Sequence, residues 1–189
     1  MAGKLIIISA PSGCGKSTII GDIMDRGELD LEFSVSATNR KPRAGEEDGV
    51  HYHFLSDAEF KEKIANGEFV EYEQVYPGRY YGTLRSEIEN RVAAGHNVIL
   101  DIDVRGGVNV KEQFGDKAVA IFIEPPSIPE LRRRLKLRGS DSDAAIEERV
   151  GRAEYELSFR PKYDHVVTND DLHTAINKIE SLIRDFIGK

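Results

Sequence analysis

The fold is decided near the start of the chain, by the stretch Ser9-Ala10-Pro11-Ser12-Gly13-Cys14-Gly15-Lys16-Ser17-Thr18. An apolar run, Leu5–Ile8, precedes this stretch. Four apolar residues follow it at helical spacing: Ile19, Ile20, Ile23 and Met24. A strand, a glycine-bearing turn and a helix that opens on Lys-Ser form the context of a phosphate-binding loop, or P-loop. The sequence therefore predicts a P-loop between the first strand and the first helix.

The residue types in this loop suit the binding of phosphate. Gly13 and Gly15 let backbone N–H groups approach an anion without an interfering Cβ. The helix that follows adds unpaired N–H groups and the positive end of its dipole. Lys16 supplies a cation for the outer phosphates, and the Ser17 hydroxyl is a natural Mg²⁺ ligand. Ala10 stands where the strict pattern has its first glycine, so we expect an ordinary backbone conformation there.

Composition excludes several classes of function. The chain has 189 residues, a net charge of −7 and 31% charged residues, which describes a soluble globular protein and argues against general binding to nucleic acid or membrane. Positive charge is nevertheless concentrated in two clusters, and this indicates sites for small polyanions. The first cluster is Arg40, Lys41 and Arg43; the second is Arg132, Arg133, Arg134, Lys136 and Arg138.

The single cysteine, Cys14, rules out an internal disulfide and fits a reducing compartment. The N-terminal residues lack a signal-peptide pattern, and no segment approaches the length of a membrane span. We therefore expect a cytoplasmic protein.

Strands and helices alternate along most of the chain, which predicts an α/β fold with a doubly wound parallel sheet. An apolar strand over Asn97–Asp103 ends in acidic residues, and alternation would place Asp101 and Asp103 on one face of it. We also expect strands over Leu31–Ala37 and Val50–Phe54. Capping boxes at Ser56–Glu59 and Ser127–Glu130 predict two helix starts.

Two insertions interrupt this pattern. The larger, 37–90, is polar and partly β, and the smaller, 126–158, is helical and basic. The predicted core is therefore made of 1–36, 91–125 and 159–189.

Further motifs follow the P-loop in order: Arg40-Lys41-Pro42-Arg43, Gly45-Glu46, Tyr52, Glu71, Tyr81-Gly82-Thr83, Leu100-Asp101-Ile102-Asp103 and Arg138-Gly139. With these motifs the sequence resembles the guanylate kinase family along essentially its whole length. The resemblance implies a P-loop core, a GMP-binding α+β subdomain in 37–90 and a helical lid over ATP in 126–158. It also implies transfer of the γ-phosphoryl group of ATP to GMP.

The resemblance assigns residues to the acceptor nucleotide. Four would hold the GMP phosphate: Arg40, Arg43, Tyr52 and Tyr81. Four others would face the guanine: Ser36, Glu71, Thr83 and Asp103. The same site would accept dGMP.

It assigns a second set to ATP, to the metal and to catalysis. The ATP-binding residues would be Ser12, Gly13, Cys14, Gly15, Lys16, Ser17, Thr18, Arg134 and Asn169. Ser17 and Asp101 would hold Mg²⁺, the expected cofactor. The residues at the transferring group would be Lys16, Arg43, Arg138 and Arg149. The sequence leaves open whether the protein is a monomer or a homo-oligomer.

The chemistry of guanine agrees with this assignment. Guanine presents N1–H and N2–H₂ as adjacent donors, so the Glu71 carboxylate can accept both, while adenine would present an acceptor at N1. Ser36 can donate to O6, and Thr83 can accept from N2. The attacking phosphate oxygen is largely ionised at neutral pH, since its second pKa is about 6, and needs no general base. We expect both insertions to close over the nucleotides and exclude water.

Two other functions fit parts of the sequence. One is a P-loop kinase for another phosphorylated acceptor, and the other is a guanylate-kinase-like module that binds phosphopeptides without catalysis. Such modules typically lack an intact P-loop, whereas Gly13, Gly15, Lys16 and Ser17 are all present here. Asn39 and Arg105 depart from the residues usual in the family, Thr and Gln.

Overall fold

The computed structural model of the protein describes residues 3–137 and 142–188. In chain order the strands are β1 Leu5–Ser9, β2 Leu31–Phe33, β3 Ala37–Thr38, β4 His53–Phe54, β5 Phe69–Tyr76, β6 Arg79–Leu84, β7 Asn97–Asp101, β8 Ala118–Glu124 and β9 His165–Thr168. The helices are α1 Lys16–Arg26, α2 Asp57–Ala65, α3 Arg85–Ala94, α4 Val104–Phe114, α5 Ile128–Leu137, α6 Asp143–Leu157 and α7 Leu172–Ile187.

A five-stranded sheet has the order β2-β7-β1-β8-β9, in which most neighbours are distant in sequence. β8 and β9 pair in parallel, from Ile121 opposite His165 to Glu124 opposite Thr168. Such an order requires crossover connections, and helices lie between the strands in sequence. The predicted doubly wound parallel sheet is confirmed.

The chain forms two compact units. The P-loop unit comprises Ile6–Leu31 and Leu100–Lys189, and the inserted unit comprises Met1–Leu5 and Glu32–Ile99. The predicted insertion 37–90 falls within the inserted unit, and the predicted lid 126–158 falls within the P-loop unit.

Buried apolar strands and one amphipathic helix make the core of the P-loop unit. Ile6–Ile8 of β1 and Ile121–Ile123 of β8 are fully buried, as continuous apolar strands of a parallel sheet should be. α7 turns Ile176, Ile179 and Ile183 inward at helical spacing. This core fixes the carboxyl end of β1, where the P-loop begins.

The inserted unit has its own four-stranded sheet, in the order β4-β3-β6-β5. β6 pairs antiparallel with both β3 and β5, while β3 and β4 are parallel. Beneath this sheet the Phe60 ring stacks on Phe69 at 4.4 Å and on Tyr80 at 5.5 Å. Phe60 reaches this cluster from α2, which begins with the predicted capping box of Ser56 and Glu59. The capping box is therefore confirmed.

Three expected strands differ from the structure. Leu31–Ala37 is not one strand, since β2 ends at Phe33 and β3 begins at Ala37 in a different sheet. Within Val50–Phe54 only His53–Phe54 forms a regular strand, because Val50 and His51 donate backbone N–H groups to Glu47 in a turn. The strand predicted over Asn97–Asp103 is also longer than the observed strand.

β7 ends at Asp101, and Asp103 is instead the N-cap of α4. The prediction that Asp101 and Asp103 share a strand face is therefore wrong. An aspartate can satisfy the open N–H groups at a helix start, and here it accepts from the backbone N–H groups of Arg105 and Gly106.

The second capping box is formed in part. The Ser127 hydroxyl accepts from the backbone N–H of Glu130, at 3.2 Å, but the Glu130 carboxylate is engaged by Arg133 and Arg134.

Among the described helices, none is both long enough and apolar enough to cross a membrane.

Candidate active site

The P-loop has the backbone that phosphate binding requires. The Cys14 N–H donates to the Pro11 carbonyl at 3.2 Å, which closes a turn. Gly13 and Gly15 have φ values of +95° and +85°, and Gly15 is the N-cap of α1. Asp30 is the one non-glycine residue with positive φ in 3–137 and 142–188, so Ala10 is in an ordinary conformation, as expected. The sequence thus predicted both the loop and its conformation.

Packing as well as φ demands glycine at both positions. A Cβ on Gly15 would lie 2.7 Å from Asn169 Nδ2. A Cβ on Gly13 would lie 2.9 Å from Leu135 Cδ2 and 3.0 Å from Leu131 Cδ1 on α5. The loop therefore packs closely against two other segments of its own unit.

Lys16 lies against the carboxyl end of β7. Its Nζ is 2.5 Å from Asp101 Oδ1 and donates to the Ile102 carbonyl at 3.3 Å. The structure therefore brings together the predicted phosphate-binding lysine and the predicted metal-binding aspartate. Ser17 follows in the first turn of α1 with its side chain exposed to solvent.

Arg134 and Asn169 form a chain of hydrogen bonds to the P-loop. Asn169 is 4% exposed, and its Nδ2 donates to the Cys14 carbonyl at 2.8 Å. Arg134 donates to the carbonyls of Asn169 and Asp170 at 2.7 and 3.2 Å, and to Glu130 at 2.8 Å. Both residues were predicted to bind ATP, and that role stays a prediction. The contacts show that Asn169 also holds the loop backbone and that Arg134 holds the backbone of Asn169.

Sequence reasoning missed Glu156. This carboxylate on α6 is 6% exposed, and its Oε1 accepts from Arg152 Nε at 2.9 Å. Burial raises the pKa of Glu156, while Arg152, the Ser12 backbone N–H and Lys16 oppose that rise. No local signal distinguishes Glu156 from the other acidic residues of α6, because its burial depends on the loop that packs beside it.

Two further predicted residues belong to the lid segment. Arg149 lies on α6 and is half-buried, seven residues before Glu156 and so two turns away. Arg138 lies outside the described residues. The roles assigned to both arginines stay predictions.

The start of α4 is fixed by close backbone approach. Ser9 Oγ donates to the Asp103 carbonyl at 3.3 Å, and Tyr163 Oη donates to the Val104 carbonyl at 3.0 Å. A Cβ on Gly107 would lie 2.3 Å from Tyr163 Oη, so this position admits only glycine. Asp103 is held firmly as a cap, and its predicted contact with guanine stays a prediction.

In the inserted unit, Glu71 and Thr83 form a buried polar pair. They lie opposite each other on β5 and β6, and they are 7% and 0% exposed. The Thr83 hydroxyl donates to Glu71 Oε1 at 2.7 Å. A buried acid is costly unless its oxygens are satisfied, which marks this pair as a functional candidate. Ser36, also predicted to face guanine, lies half-buried directly before β3.

Next to this pair, an arginine, two tyrosines and a glutamate are clustered. Arg40 forms a two-pronged ion pair with Glu46, with N–O distances of 2.6 and 2.7 Å. Arg40 Nε donates to Tyr81 Oη at 3.2 Å, and Arg40 Cζ lies 5.0 Å from the centre of the Tyr52 ring. Three of the four predicted phosphate ligands are therefore in contact.

Glu46 belongs to the motif that carries the resemblance, but no role could be assigned to it from sequence alone. Hydrogen bonds from Arg40, and then from the Arg43 backbone N–H, lower the pKa of Glu46 to about 2. The Arg43 side chain, the fourth predicted phosphate ligand, is exposed.

Asn39 connects the segment that carries Arg40 to the segment that carries Tyr81. Its Nδ2 donates to Asp57 Oδ1 at 3.0 Å and to the Gly78 carbonyl at 2.9 Å, and its Oδ1 accepts from the Tyr80 N–H at 2.8 Å. The departure from the usual threonine therefore retains a hydrogen-bonding function. Arg105 lies exposed in the first turn of α4.

Comparison with known proteins identifies the family of the chain. Residues 2–186 match the family model described as guanylate kinase. Guanylate kinase from Bacteroides fragilis is 54% identical over 185 residues, which cover 98% of this chain and 90% of that protein. Guanylate kinase from Porphyromonas gingivalis is 52% identical, with 98% and 99% covered.

Solved structures lead to the same family. Guanylate kinase from Anaplasma phagocytophilum superposes with a TM-score of 0.79 at 32% identity, covering 100% of this chain and 88% of that one. A shikimate kinase from Bacteroides thetaiotaomicron, at a TM-score of 0.53 and 15% identity, shares the fold alone. With an intact P-loop and relatives this similar over its whole length, the chain belongs to the guanylate kinase family and is a nucleoside monophosphate kinase.

Proposed function

We propose that this enzyme transfers the γ-phosphoryl group of ATP to GMP, giving ADP and GDP. The observation that carries the proposal is the buried Glu71–Thr83 pair in a chain whose P-loop is intact. The P-loop suits the triphosphate, and the pair suits the base of the acceptor. The intact loop also favours an enzyme over a module that only binds phosphopeptides.

Hydrogen-bond direction at the pair supports guanine. Glu71 can only accept, so it matches the adjacent N1–H and N2–H₂ donors of guanine. The Thr83 hydroxyl donates its proton to Glu71. The lone pairs of the Thr83 oxygen therefore remain available to accept from N2–H₂ of guanine. Adenine would place the lone pair of N1 against the Glu71 carboxylate. Sites that hydrogen-bond their substrate can reject a mismatched analogue by roughly 10⁴–10⁵-fold.

The acceptor phosphate would bind at the cluster of Arg40, Arg43, Tyr52 and Tyr81. Its attacking oxygen is mostly ionised at neutral pH, since the second pKa of a phosphate monoester is about 6. Catalysis therefore needs positioning and charge stabilisation rather than a general base. Lys16, with Arg43, Arg138 and Arg149, would supply positive charge to the transferring group. Transfer needs the nucleotides end to end, and the proposal includes closure of both insertions over them.

Mg²⁺ would be held by Ser17 and Asp101 together with phosphate oxygens. One or two protein oxygens plus substrate phosphates is the usual way in which proteins bind this ion, so the donor set fits. When bound, Mg²⁺ neutralises phosphate charge. Asp101 also contacts Lys16, and so would position the lysine beside the same phosphates. The single cysteine is consistent with the cytoplasm as the place of this reaction.

The test is ADP formation measured with ATP, Mg²⁺ and either GMP or AMP. We expect turnover with GMP, at least 10³-fold lower kcat/KM with AMP, and almost no ADP without an acceptor. Omission of Mg²⁺ should abolish the reaction. Equal turnover with AMP, or ADP formation that is independent of any acceptor, would refute the proposed function.

A further inference from the structure

We propose that Glu46 is a positioning residue for the acceptor phosphate: it holds Arg40, and Arg40 directs the Tyr81 hydroxyl to donate to that phosphate. The inference rests on the proposed function, because it concerns the phosphate of GMP. It concerns residues of the inserted unit only.

The Glu46–Arg40 pair is more enclosed than an ordinary surface ion pair. Its side chains are 17% and 8% exposed, and both carboxylate oxygens accept from the guanidinium. Glu46 Oε2 also accepts from the Arg43 backbone N–H at 2.7 Å, and the Glu46 N–H donates back to the Arg43 carbonyl at 3.1 Å. Two-pronged, charge-assisted pairs of this kind fix orientation as well as adding energy. Glu46 therefore sets both the loop and the plane of Arg40.

Arg40 has few donors left for a direct phosphate contact. Nη1 donates to Glu46 and to the Lys41 carbonyl, Nη2 donates to Glu46, and Nε donates to Tyr81. These bonds use four of the five N–H groups that a guanidinium carries. Arg40 therefore faces Glu46 with both terminal nitrogens and keeps one N–H for the phosphate, so much of its effect on the phosphate passes through its neighbour.

That neighbour is Tyr81, whose hydrogen-bond direction is determined by Arg40. A guanidinium has no acceptor, so in this bond the Tyr81 oxygen must accept. The Tyr81 O–H proton is then available to donate elsewhere, and a phosphate oxygen is an acceptor. The Tyr52 ring lies under Arg40 and 5.8 Å from the Tyr81 ring, which further restricts both groups. A carboxylate, a guanidinium and a phenol thus form a chain of hydrogen bonds that ends in the Tyr81 O–H donor.

A competing role for Glu46 makes the opposite prediction. If Glu46 merely occupies the Arg40 fork until phosphate displaces it, then removing the carboxylate charge frees Arg40 and tightens GMP binding. If Glu46 positions Arg40 and Tyr81, the same change weakens GMP binding. The sign of the effect therefore separates the two roles.

The experiment measures binding of GMP and of guanosine, which lacks the phosphate, by titration calorimetry. The variants are Glu46→Gln, Tyr81→Phe, the double variant, and Glu47→Gln as the control. Glu47 is an exposed neighbour, so its replacement makes the same change in net charge without touching Arg40. We expect Glu46→Gln to weaken GMP binding about tenfold, as for loss of a hydrogen bond to a charged group, and to leave guanosine binding within about twofold.

The double variant tests the route through Tyr81. If Glu46 acts through Arg40 on Tyr81, the double variant should bind GMP about as weakly as Tyr81→Phe alone. Glu47→Gln should behave as the unmodified protein, and the KM for ATP should not change in Glu46→Gln.

Several results would overturn the inference: unchanged or tighter GMP binding in Glu46→Gln, equal losses for GMP and guanosine, or fully additive effects in the double variant. Equal losses would mean that Glu46 only maintains the loop. A failure of the unmodified protein to bind GMP would instead reject the proposed function itself, and the inference with it.

Discussion

The two units prepare their binding groups in different ways. In the P-loop unit, the proposed anion-binding surface is largely backbone, and contiguous residues from Ala10 to Thr18 determine its conformation. In the inserted unit the proposed binding groups are side chains, and several of them are oriented by other side chains that lie 6 to 41 residues away. Thr83 holds Glu71, and Glu46 holds Arg40, which contacts Tyr81. A backbone site tolerates few changes at glycine, while a side-chain site should be tunable one group at a time.

Removal of the charge at the P-loop should have the largest effect. We expect Lys16→Ala to lower kcat about 10³-fold, because the lysine would stabilise charge on the transferring group, and to leave the melting temperature nearly unchanged. GMP binding should persist, since Lys16 is not among the residues proposed to bind GMP. The exposed Lys178 provides a control, and Lys178→Ala should retain full activity. Activity within tenfold of normal in Lys16→Ala would contradict the assignment of this lysine.

The addition of a single methyl group to the P-loop backbone, at Gly15, should also impair ATP binding. Gly15→Ala would place a Cβ at φ +85° and 2.7 Å from Asn169 Nδ2, so we expect a loss of about 1–2 kcal/mol in stability and at least a tenfold rise in the KM for ATP. GMP binding should again be unaffected. The matched control is Gly21→Ala in the interior of α1, where a Cβ meets no atom within 4 Å and should stabilise the helix. Calorimetry and steady-state kinetics would measure both effects.

The same contrast explains what the sequence could predict. β1, the glycine turn and α1 were predicted correctly because strand, turn and helix follow one another without interruption. The strand that leads to Asp101 was also found, but alternation was continued too far. Nothing in the local pattern shows that the backbone turns at Ile102 so that Asp103 can cap α4.

Side chains that act through tertiary pairing were the ones missed. Glu46 and Glu156 look like ordinary acidic residues in sequence, and only the positions of Arg40 and of Arg152 with Ser12 give them a role. The break between β2 and β3 was missed for a related reason. The two strands belong to different sheets, and a short polar-apolar run does not show which sheet each one joins.

A smaller effect, on stability alone, is expected from the ion pairs that join α1 to α7. Glu180 on α7 is 8% exposed and contacts Arg26 at 2.7 Å and Arg184 at 2.9 Å. We expect Glu180→Gln to reduce the free energy of unfolding by about 1–2 kcal/mol, because it weakens hydrogen bonds to two charged groups. Turnover at 25 °C should be unchanged. Glu112→Gln at an exposed position on α4 is the control, and equal losses in denaturant titrations of both variants would refute the assignment.

The smallest expected effect is the loss, at acid pH, of the stabilisation that Glu46 gives to the inserted unit. The folded-state pKa of Glu46 is lowered to about 2, from an ordinary value of 4.5, mainly by Arg40. For a lowered carboxylate pKa, the stabilisation is complete above the unfolded value and is lost as the pH falls towards the folded value. The difference in melting temperature between the unmodified protein and Glu46→Gln should therefore be constant from pH 8 to 5. It should narrow between pH 4.5 and 3. A difference that widens in acid would contradict this assignment.

The selection of guanine by an acceptor-only carboxylate is tested most directly by Glu71→Gln, with kcat/KM measured for GMP and for AMP. A glutamine amide can offer a donor to adenine N1 and presents fewer acceptors to guanine. We therefore expect the preference for GMP over AMP to fall by at least about 10²-fold, with the KM for ATP unchanged. A GMP to AMP preference equal to that of the unmodified protein would contradict the central claim.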